Sequence, residues 1–413
     1  MTVAADSGYA GVEGAPPLRS IIPVLGVTQI LAWGSSYYLL AVLAAPIAGD
    51  TGWSLAWIVG GLSLGLLVAG LVSPRVGDAI QRLGGRVVLT ASAILLALGL
   101  TGLALSPNLP VYILSWLILG TGMGAGLYDA AFATLGRLYG LGARTAITAL
   151  TLFGGFASTV CWPLSALLVS EFGWRATCLI YAGIHLFVLL PLYVFALPKQ
   201  PKREGAGAAK VAAGDADGND GPLVPPGSKP LFVLVALVIA ISSMISATLS
   251  VHLLTILQAR DIALGAVVAL GALVGPSQVG ARAIEMAISR FHHPIWTKLA
   301  STAFVAIGVG LLWAGFPIVA AALIFYGAGI GIESIARGTL PLAIFGADRY
   351  PAIMGRIAMP SLIGQAASPS LGAMVIGSFG AHGALGVLFA VALGNVVLVV
   401  TLSILLRRRE SQA

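Results

Sequence analysis

Asp129, Arg282, Glu285, Glu333 and Arg337 are charged side chains set within long apolar runs of a 413-residue chain. Charge in such a setting is costly, and the residues that carry it are functional or mutually paired. Arg282 and Glu285 stand three apart, which puts them on one face of a helix. Two readings follow. Arg282 is an anion-binding cation whose neighbouring acid gives way to a substrate or a proton, or the two neutralise each other at the mouth of a pore. Glu333 and Arg337 stand four apart, acid first, the favoured order for a pair along one helix and a natural conformational latch. Asp129 has no base within a turn, and Arg137 is eight residues on. A lone carboxylate in hydrocarbon favours its neutral form, which suits carrying a proton. A partner on another helix, or a place in a gate, are the alternatives.

Polar side chains surround these charges at helical spacing. Gln29, Trp33, Ser36 and Tyr37 fall at i, i+4, i+7 and i+8, one face of a helix. An amide, an indole, a hydroxyl and a phenol fit a watery cavity better than lipid. Ser242, Ser243, Ser246 and Ser250 offer a second polar stretch, Gln278 lies one turn before Arg282, and Gln365 is a further candidate. Ser246, Gln278 and Gln365 are therefore read with Arg282 as substrate-facing. Trp162 precedes Pro163, which should bend its helix. Cys161 and Cys178 lie in separate apolar segments and read as small buried hydrophobes. His185 and His252 are isolated, and the His292–His293 pair lacks metal-ligand company. No phosphate-loop lysine and no nucleophile elbow is present. The expectation is a protein that is not an enzyme, with no metal and no cofactor.

The elements that must position these residues follow from composition. The chain is 58% hydrophobic and only 9% charged, where a soluble protein carries about 25% charged residues. Lipid is then the solvent for much of it. Apolar stretches of spanning length recur over 20–46, 54–76, 87–106, 110–136, 145–169, 175–197, 231–257, 263–285, 297–316, 318–336, 353–378 and 383–406. Open strands cannot cross a bilayer, so these predict twelve helices. Residues 198–229 form a Gly-, Ala- and Pro-rich, mixed-charge linker with six spans on either side. The expected organisation is a polar tail over 1–18, a six-helix bundle over 19–197, that linker, a second bundle over 230–406 and a tail over 407–413. With the N-terminus in the cytoplasm, only Arg175 and Arg260 of the 22 Lys and Arg residues sort to the outer side. This is the positive-inside pattern of a multi-pass inner-membrane protein with both termini cytoplasmic. The net charge of +7 thus reflects topology and lipid contact, with no nucleic-acid partner.

The two halves echo each other. "GMGAG" at 122–126 returns as "GAGIG" at 327–331, and Pro163 returns as Pro369, offsets of 205 and 206. The first of these lies in "GTGMGAGLYDA", residues 120–130, whose glycines resemble a phosphate loop. Inside an apolar span they read instead as small-residue stripes, Gly120 with Gly124 and Gly122 with Gly126, that let helix backbones touch. Duplicated halves around a linker are the pattern of a transporter that rocks one half against the other.

With these features the chain resembles the major facilitator superfamily along its whole length. Gly77, Asp78, Arg82 and Arg86, in "GDAIQRLGGR", are similar to that family's loop after the second span, with Gln81 where an Asp is usual. The resemblance implies a latch between the halves on the cytoplasmic side. It also implies an all-α membrane fold of twelve transmembrane helices in two pseudo-symmetric six-helix bundles. "DTGWS" at 50–54, "FGWR" at 172–175 and "QVGAR" at 278–282 are similar to the monocarboxylate-porter and oxalate/formate-antiporter branch. There the arginine of the eighth span binds substrate, and Arg282 is the matching position; the usual acid one turn earlier is Gln278. The expected function is secondary active transport of a small solute, an organic anion such as a monocarboxylate, coupled to protons or a counter-solute, by a monomer. Alternatives are efflux of a small toxicant such as a drug or trivalent metalloid, and a non-transporting sensor or scaffold on the same fold.

Overall fold

The computed structural model describes residues 16–200, 228–260 and 262–410. Most of the expected 1–18 tail and 198–229 linker, and the end of the 407–413 tail, lie outside the described residues. Among the described residues the chain runs twelve times between two opposite faces. The helices are α1 (Leu18–Gly34 and Leu40–Thr51), α2 (Leu55–Leu83), α3 (Gly85–Ala104), α4 (Leu109–Gly126 and Tyr128–Tyr139), α5 (Ala143–Gly154 and 157–172), α6 (174–196), α7 (Lys229–Gln258), α8 (Leu264–Ala272 and Val274–Ile288), α9 (Pro294–Trp313), α10 (Val319–Phe345), α11 (350–379) and α12 (381–410). Residues 18, 197, 229 and 410 lie on one face, called here the linker face; the opposite one is the far face.

Two helices outrun their expected ends. α2 continues to Leu83 and α10 to Phe345, although apolarity fades near 76 and 336. Gly77 in α2 and Pro341 in α10 are accommodated without ending the helices, which stop only at Gly84 (φ 92°) and Gly346 (φ 75°). The stretch expected as a loop, from Gly77 to Arg82, is therefore helical and projects from α2 at fixed angles.

Pseudo-symmetry is written in the turns. Gly140 (φ 58°) ends α4 and Gly346 ends α10, while Gly173 (φ 78°) and Gly380 (φ 68°) are the whole connection between α5 and α6 and between α11 and α12. The offsets, 206 and 207, lie within two residues of the 205 and 206 of the sequence echoes. Positive φ is open to glycine without the Cβ clash, so these tight reversals depend on it.

The glycine stripes pack as small-residue seams. A Cβ on Gly120 would meet the Gly65 carbonyl of α2 at 2.3 Å, and one on Gly124 the Ala69 carbonyl at 2.9 Å. Gly122 and Gly126 face Leu96 and Ser92 of α3 instead. The second half repeats this: Gly327 and Gly331 touch the α8 backbone at Val274 and Gln278, and Gly329 touches Ser301 and Val305 of α9.

The apolar cores of the halves differ. The first half holds one continuous cluster that includes Leu25, Leu43, Leu96, Trp116 and Tyr181 and reaches Tyr350 and Met354 across the interface. The second half has two clusters. One, toward the far face, includes Leu249, Val309 and Tyr326, and one, toward the linker face, includes Val235, Leu340 and Ile353. A layer of buried polar and charged side chains separates them. Replacing Gly120 by leucine should prevent α2–α4 contact and lower thermal stability in detergent by at least about 2 kcal/mol. Gly49→Ala, where an added Cβ meets nothing within 4 Å, should leave the melting temperature unchanged.

Candidate functional site

Two helices break near mid-membrane, and each break is repaired by side chains. α1 unwinds over 35–39. The Ser35 and Ser36 hydroxyls donate back to the Leu31 and Ala32 carbonyls at 2.7 and 2.6 Å, and Ser35 also contacts His185 Nε2 of α6 at 2.8 Å. α4 breaks at Leu127, in extended backbone (φ −82°, ψ −167°). The Gly126 carbonyl accepts from Gln29 Nε2 at 2.7 Å, while Gln29 Oε1 accepts from Trp33 Nε1 at 3.2 Å. A freed backbone group in lipid needs such a partner. Gln29 and Ser36 are thus fully buried and occupied by backbone repair, which corrects their expected cavity-lining role. Trp33 and Tyr37 of the same face stay in contact, 5.2 Å between ring centroids.

The break instead collects aromatic rings. Trp33 lies 5.2 Å from Tyr37 and 5.1 Å from Tyr128 between ring centroids, and Tyr38 lies 5.2 Å from Tyr37 and 6.1 Å from Trp162. Trp162 borders a cleft of about 420 Å³ between α1 and α5, lined also by Val42, Ser158, Thr159 and Pro163. The Tyr128 hydroxyl donates to the Thr151 carbonyl at 3.4 Å, and the same carbonyl accepts from Arg282 at 3.0 Å. A chain of rings therefore connects that cleft to a buried guanidinium.

Arg282 is 6% exposed. Its Nε donates to the Gly331 carbonyl at 3.0 Å, one terminal nitrogen to the Thr151 carbonyl at 3.0 Å, and the other to Gln278 Oε1 at 3.4 Å. All three acceptors are neutral. Glu285 does not neutralise it: Glu285 accepts from Thr297 Oγ1 at 2.7 Å and faces His292 at 3.6 Å. The self-neutralised pair is not formed, because Glu285 turns toward α9. No carboxylate among the described residues forms an ion pair with Arg282.

The other charges pair between helices. Glu333 and Arg337 do not bond each other, which corrects the expected pair along α10. Arg337 grips both oxygens of Asp129 across the two halves, Nε to Oδ1 at 2.8 Å and a terminal nitrogen to Oδ2 at 2.7 Å. Asp129 is therefore not alone, and the proton-carrier reading loses its premise; the interhelical partner was the alternative. It also sits in the first turn of the second piece of α4, where the helix dipole favours a negative charge. Glu333 instead holds Lys298 of α9 at 2.5 Å and accepts from Ser301 at 2.7 Å. Lys298 is fully buried and also donates to Ser242 Oγ at 2.9 Å, which accepts from Asn395 of α12 at 2.9 Å. Beside this, Ser361 joins Ser243 at 2.7 Å and lies 3.4 Å from Gln365. Ser246 lends its carbonyl to the Tyr326 hydroxyl at 3.4 Å.

Sequence reasoning missed Lys298 by assigning it to the nearest face. The available signal was Pro294 at the first helical turn with His293 capping Ile295 N, which places Lys298 already inside α9. Tyr38, Tyr128 and Arg356 were also missed, since only the assembled bundle brings them to the rings and the interface.

Contacts between the halves gather toward the linker face. Asp78 pairs with Arg356 of α11 at 2.8 Å. Gln81, in place of the usual Asp, donates to the Asp348 carbonyl at 2.7 Å. A Cβ on Gly77 would meet the Pro351 carbonyl at 2.4 Å and the Gly355 Cα at 3.1 Å. Arg82 is exposed, and among the described residues Arg86 reaches the Leu197 carbonyl of its own half at 3.4 Å. Gly77 and Asp78 thus meet the second half, whereas the two arginines expected in the latch do not. On the far side the ion pair Asp50–Arg175 stays within the first half. The protein is closed toward the linker face.

These pairs should differ in weight. The Asp129–Arg337 side chains are about 15% exposed and those of Asp78–Arg356 about 35%. Breaking a buried pair costs about 3–5 kcal/mol, an exposed one about 1 kcal/mol or less. Ser73 is buried at this seam beside Asp129 and Gly355. A cysteine at Ser73 should react with an impermeant maleimide from the linker face much faster after Asp129→Asn than after Asp78→Asn. Equal rates would refute that ranking.

Residues 25–284 match the sequence family described as the Major Facilitator Superfamily. No curated protein matches the chain. Among solved structures, the human organic anion transporter MFSD10 superposes with a TM-score of 0.73 at 17% identity, over 93% of this chain and all of that one. The proton:xylose symporter XylE gives 0.67 at 13% identity, over 92% and 94%. FucP in its outward conformation gives 0.68 at 15%, over 93% and 99%. With a family match over more than half its length, and twelve helices in two matching bundles, the chain belongs to the major facilitator superfamily and is a multi-pass membrane transporter, not an enzyme.

Proposed function

We propose that this transporter moves small organic anions, monocarboxylates foremost, by alternating access coupled to protons or a counter-solute. One observation carries the reading: Arg282 is a buried cation satisfied only by neutral acceptors. A fork of donors suits a planar carboxylate. The amide of Gln278, at the position where an acid would neutralise the arginine, leaves the positive charge uncompensated. The rings of Trp33, Tyr37, Tyr38 and Tyr128 supply an apolar wall for the body of the solute. The printed description of MFSD10 as an organic anion transporter accords with this chemistry.

The geometry also suggests how binding drives the cycle. Arg282 belongs to α8, yet one of its bonds goes to the Thr151 carbonyl of α5, in the other half. A substrate carboxylate competes with that carbonyl. Binding then loosens one contact of the closed seam as it forms an ion pair. Asp78–Arg356 and Asp129–Arg337 remain as the contacts that must part for release toward the linker face. With the basic excess on that face, it is cytoplasmic, the membrane is the inner one, and lipid headgroups meet the arginine-rich rim. A single copy suffices.

Reconstituted protein should accumulate labelled monocarboxylates, tested as a panel from lactate to benzoate with and without a pH gradient. Arg282→Ala should reduce uptake more than tenfold, since truncating one partner of a buried charged contact costs about 2–5 kcal/mol. Arg282→Lys should not restore it, because an ammonium cannot reproduce the planar fork. Unchanged anion uptake in Arg282→Ala proteoliposomes would sink the anion-site reading.

A further inference from the structure

The buried layer of the second half contains more charge than the closed seam needs. Arg337 is neutralised by Asp129 from the first half. Four residues earlier on the same helix, Glu333 is neutralised by Lys298. Asp129 moves away with its half whenever the seam opens, and Arg337 stays behind in a layer bounded by two apolar clusters. A cation stranded there would oppose opening. Glu333 is the carboxylate on the same half, four residues before Arg337 in the favoured acid-before-base order. The spacing that sequence alone reads as a pair is thus a pair available to the open state.

We propose that Glu333 is a carboxylate shared between two cations. It holds Lys298 while the linker side is closed, and it takes Arg337 when the halves part and Asp129 withdraws. The surroundings permit the exchange. Lys298 keeps two further acceptors in its own half, Ser242 Oγ at 2.9 Å and the Val238 carbonyl at 3.3 Å. Asn395, bonded to the same serine, has a buried amide oxygen with no hydrogen-bond partner among the described residues, an acceptor beside the cluster. Arg337 retains Ser243 Oγ at 3.4 Å. Glu333 itself contacts Lys298 of α9 and the neutral Ser301 hydroxyl; Ser242 and Asn395 lie beyond Lys298, and Arg337, one turn along the same helix, is held by Asp129 of α4. Glu333 is in this sense a positioning residue for the conformational step, acting through Arg337. The inference rests on the alternating-access reading above.

The test measures maleimide labelling of Ser73→Cys from the linker face in membrane vesicles. The native cysteines, both fully buried, leave the background low. Lys298→Met frees Glu333 for Arg337 and should raise the labelling rate about threefold or more by shifting the population toward the open form. Adding Glu333→Gln to Lys298→Met removes the second partner of Arg337. The rate should then fall about threefold below that of the parent. A carboxylate that only neutralises Lys298 predicts a different result, because removing both members of a static pair returns the parent rate. The double variant carries no unpaired charge in the closed form, so it decides the question even where Lys298→Met alone does not fold. Parent-rate labelling of the double variant overturns the proposal. Asp129→Asn in the same assay separates the two readings: if it raises labelling while the double variant matches the parent, only the shared carboxylate is wrong. If it has no effect either, the halves do not part here and the transport cycle falls with it.

Discussion

A charge inside a bilayer must have a partner, and this architecture is arranged around that demand. Asp129, Lys298, Glu333 and Arg337 are paired within one depth of the membrane, and their layer splits the apolar core of the second half in two. The first half has no such division. The asymmetry is mechanically useful. One half is a continuous apolar body, while the other holds the cations that this body can engage or release. The seam is then held by contacts that are strong when desolvated and can be exchanged, rather than by apolar area alone.

Backbone obeys the same rule. The unwound turn of α1 and the break in α4 expose the Ala32 and Gly126 carbonyls, which lipid cannot solvate, and Ser36 and Gln29 take them up. The breaks place Tyr38 beside Trp162, and Tyr128 beside Thr151, whose carbonyl also accepts from Arg282. Local disorder of the helical pattern is therefore what builds the ring-lined approach to the buried arginine. Glycine has two separate uses. In the α4 and α10 stripes it allows close packing of backbone on backbone; at Gly173 and Gly380 it supplies a positive φ that joins two spans without a loop.

Arg282 unites the two themes. It is a charge whose acceptors are two backbone carbonyls and an amide, and it touches both halves. On the proposed anion transport, an anion arriving there gains more than it would at an arginine already neutralised by an acid. In the same event it competes with a bond that helps hold the seam. The other interhalf pairs join carboxylate to guanidinium directly, so they serve closure rather than ligand capture.

The sequence by itself determined the class of fold. Apolar length and low charge dictate helices across lipid, the polar linker divides them six and six, and offsets of 205 and 206 between glycines and prolines disclose the duplication. These properties are local or periodic, so one chain suffices to read them. It also marked the costly residues, Asp129, Arg282, Glu285, Glu333 and Arg337, because charge within an apolar run is visible without a structure. Tertiary structure alone decided the partners. Spacing along α10 favours Glu333 with Arg337, yet Asp129 and Lys298 approach from other helices and offer full desolvated ion pairs, which outweigh a pair along one helix worth a few tenths of a kcal/mol, about 0.5 at most. Gln29 and Ser36 lie on a polar face in sequence, but the break in α4 takes up the Gln29 amide and the unwound turn of α1 takes up the Ser36 hydroxyl. Lys298 stands near a span end in sequence and at the centre of a buried network in space. Which charge meets which depends on helix rotation and crossing, and those are settled only when the bundle packs.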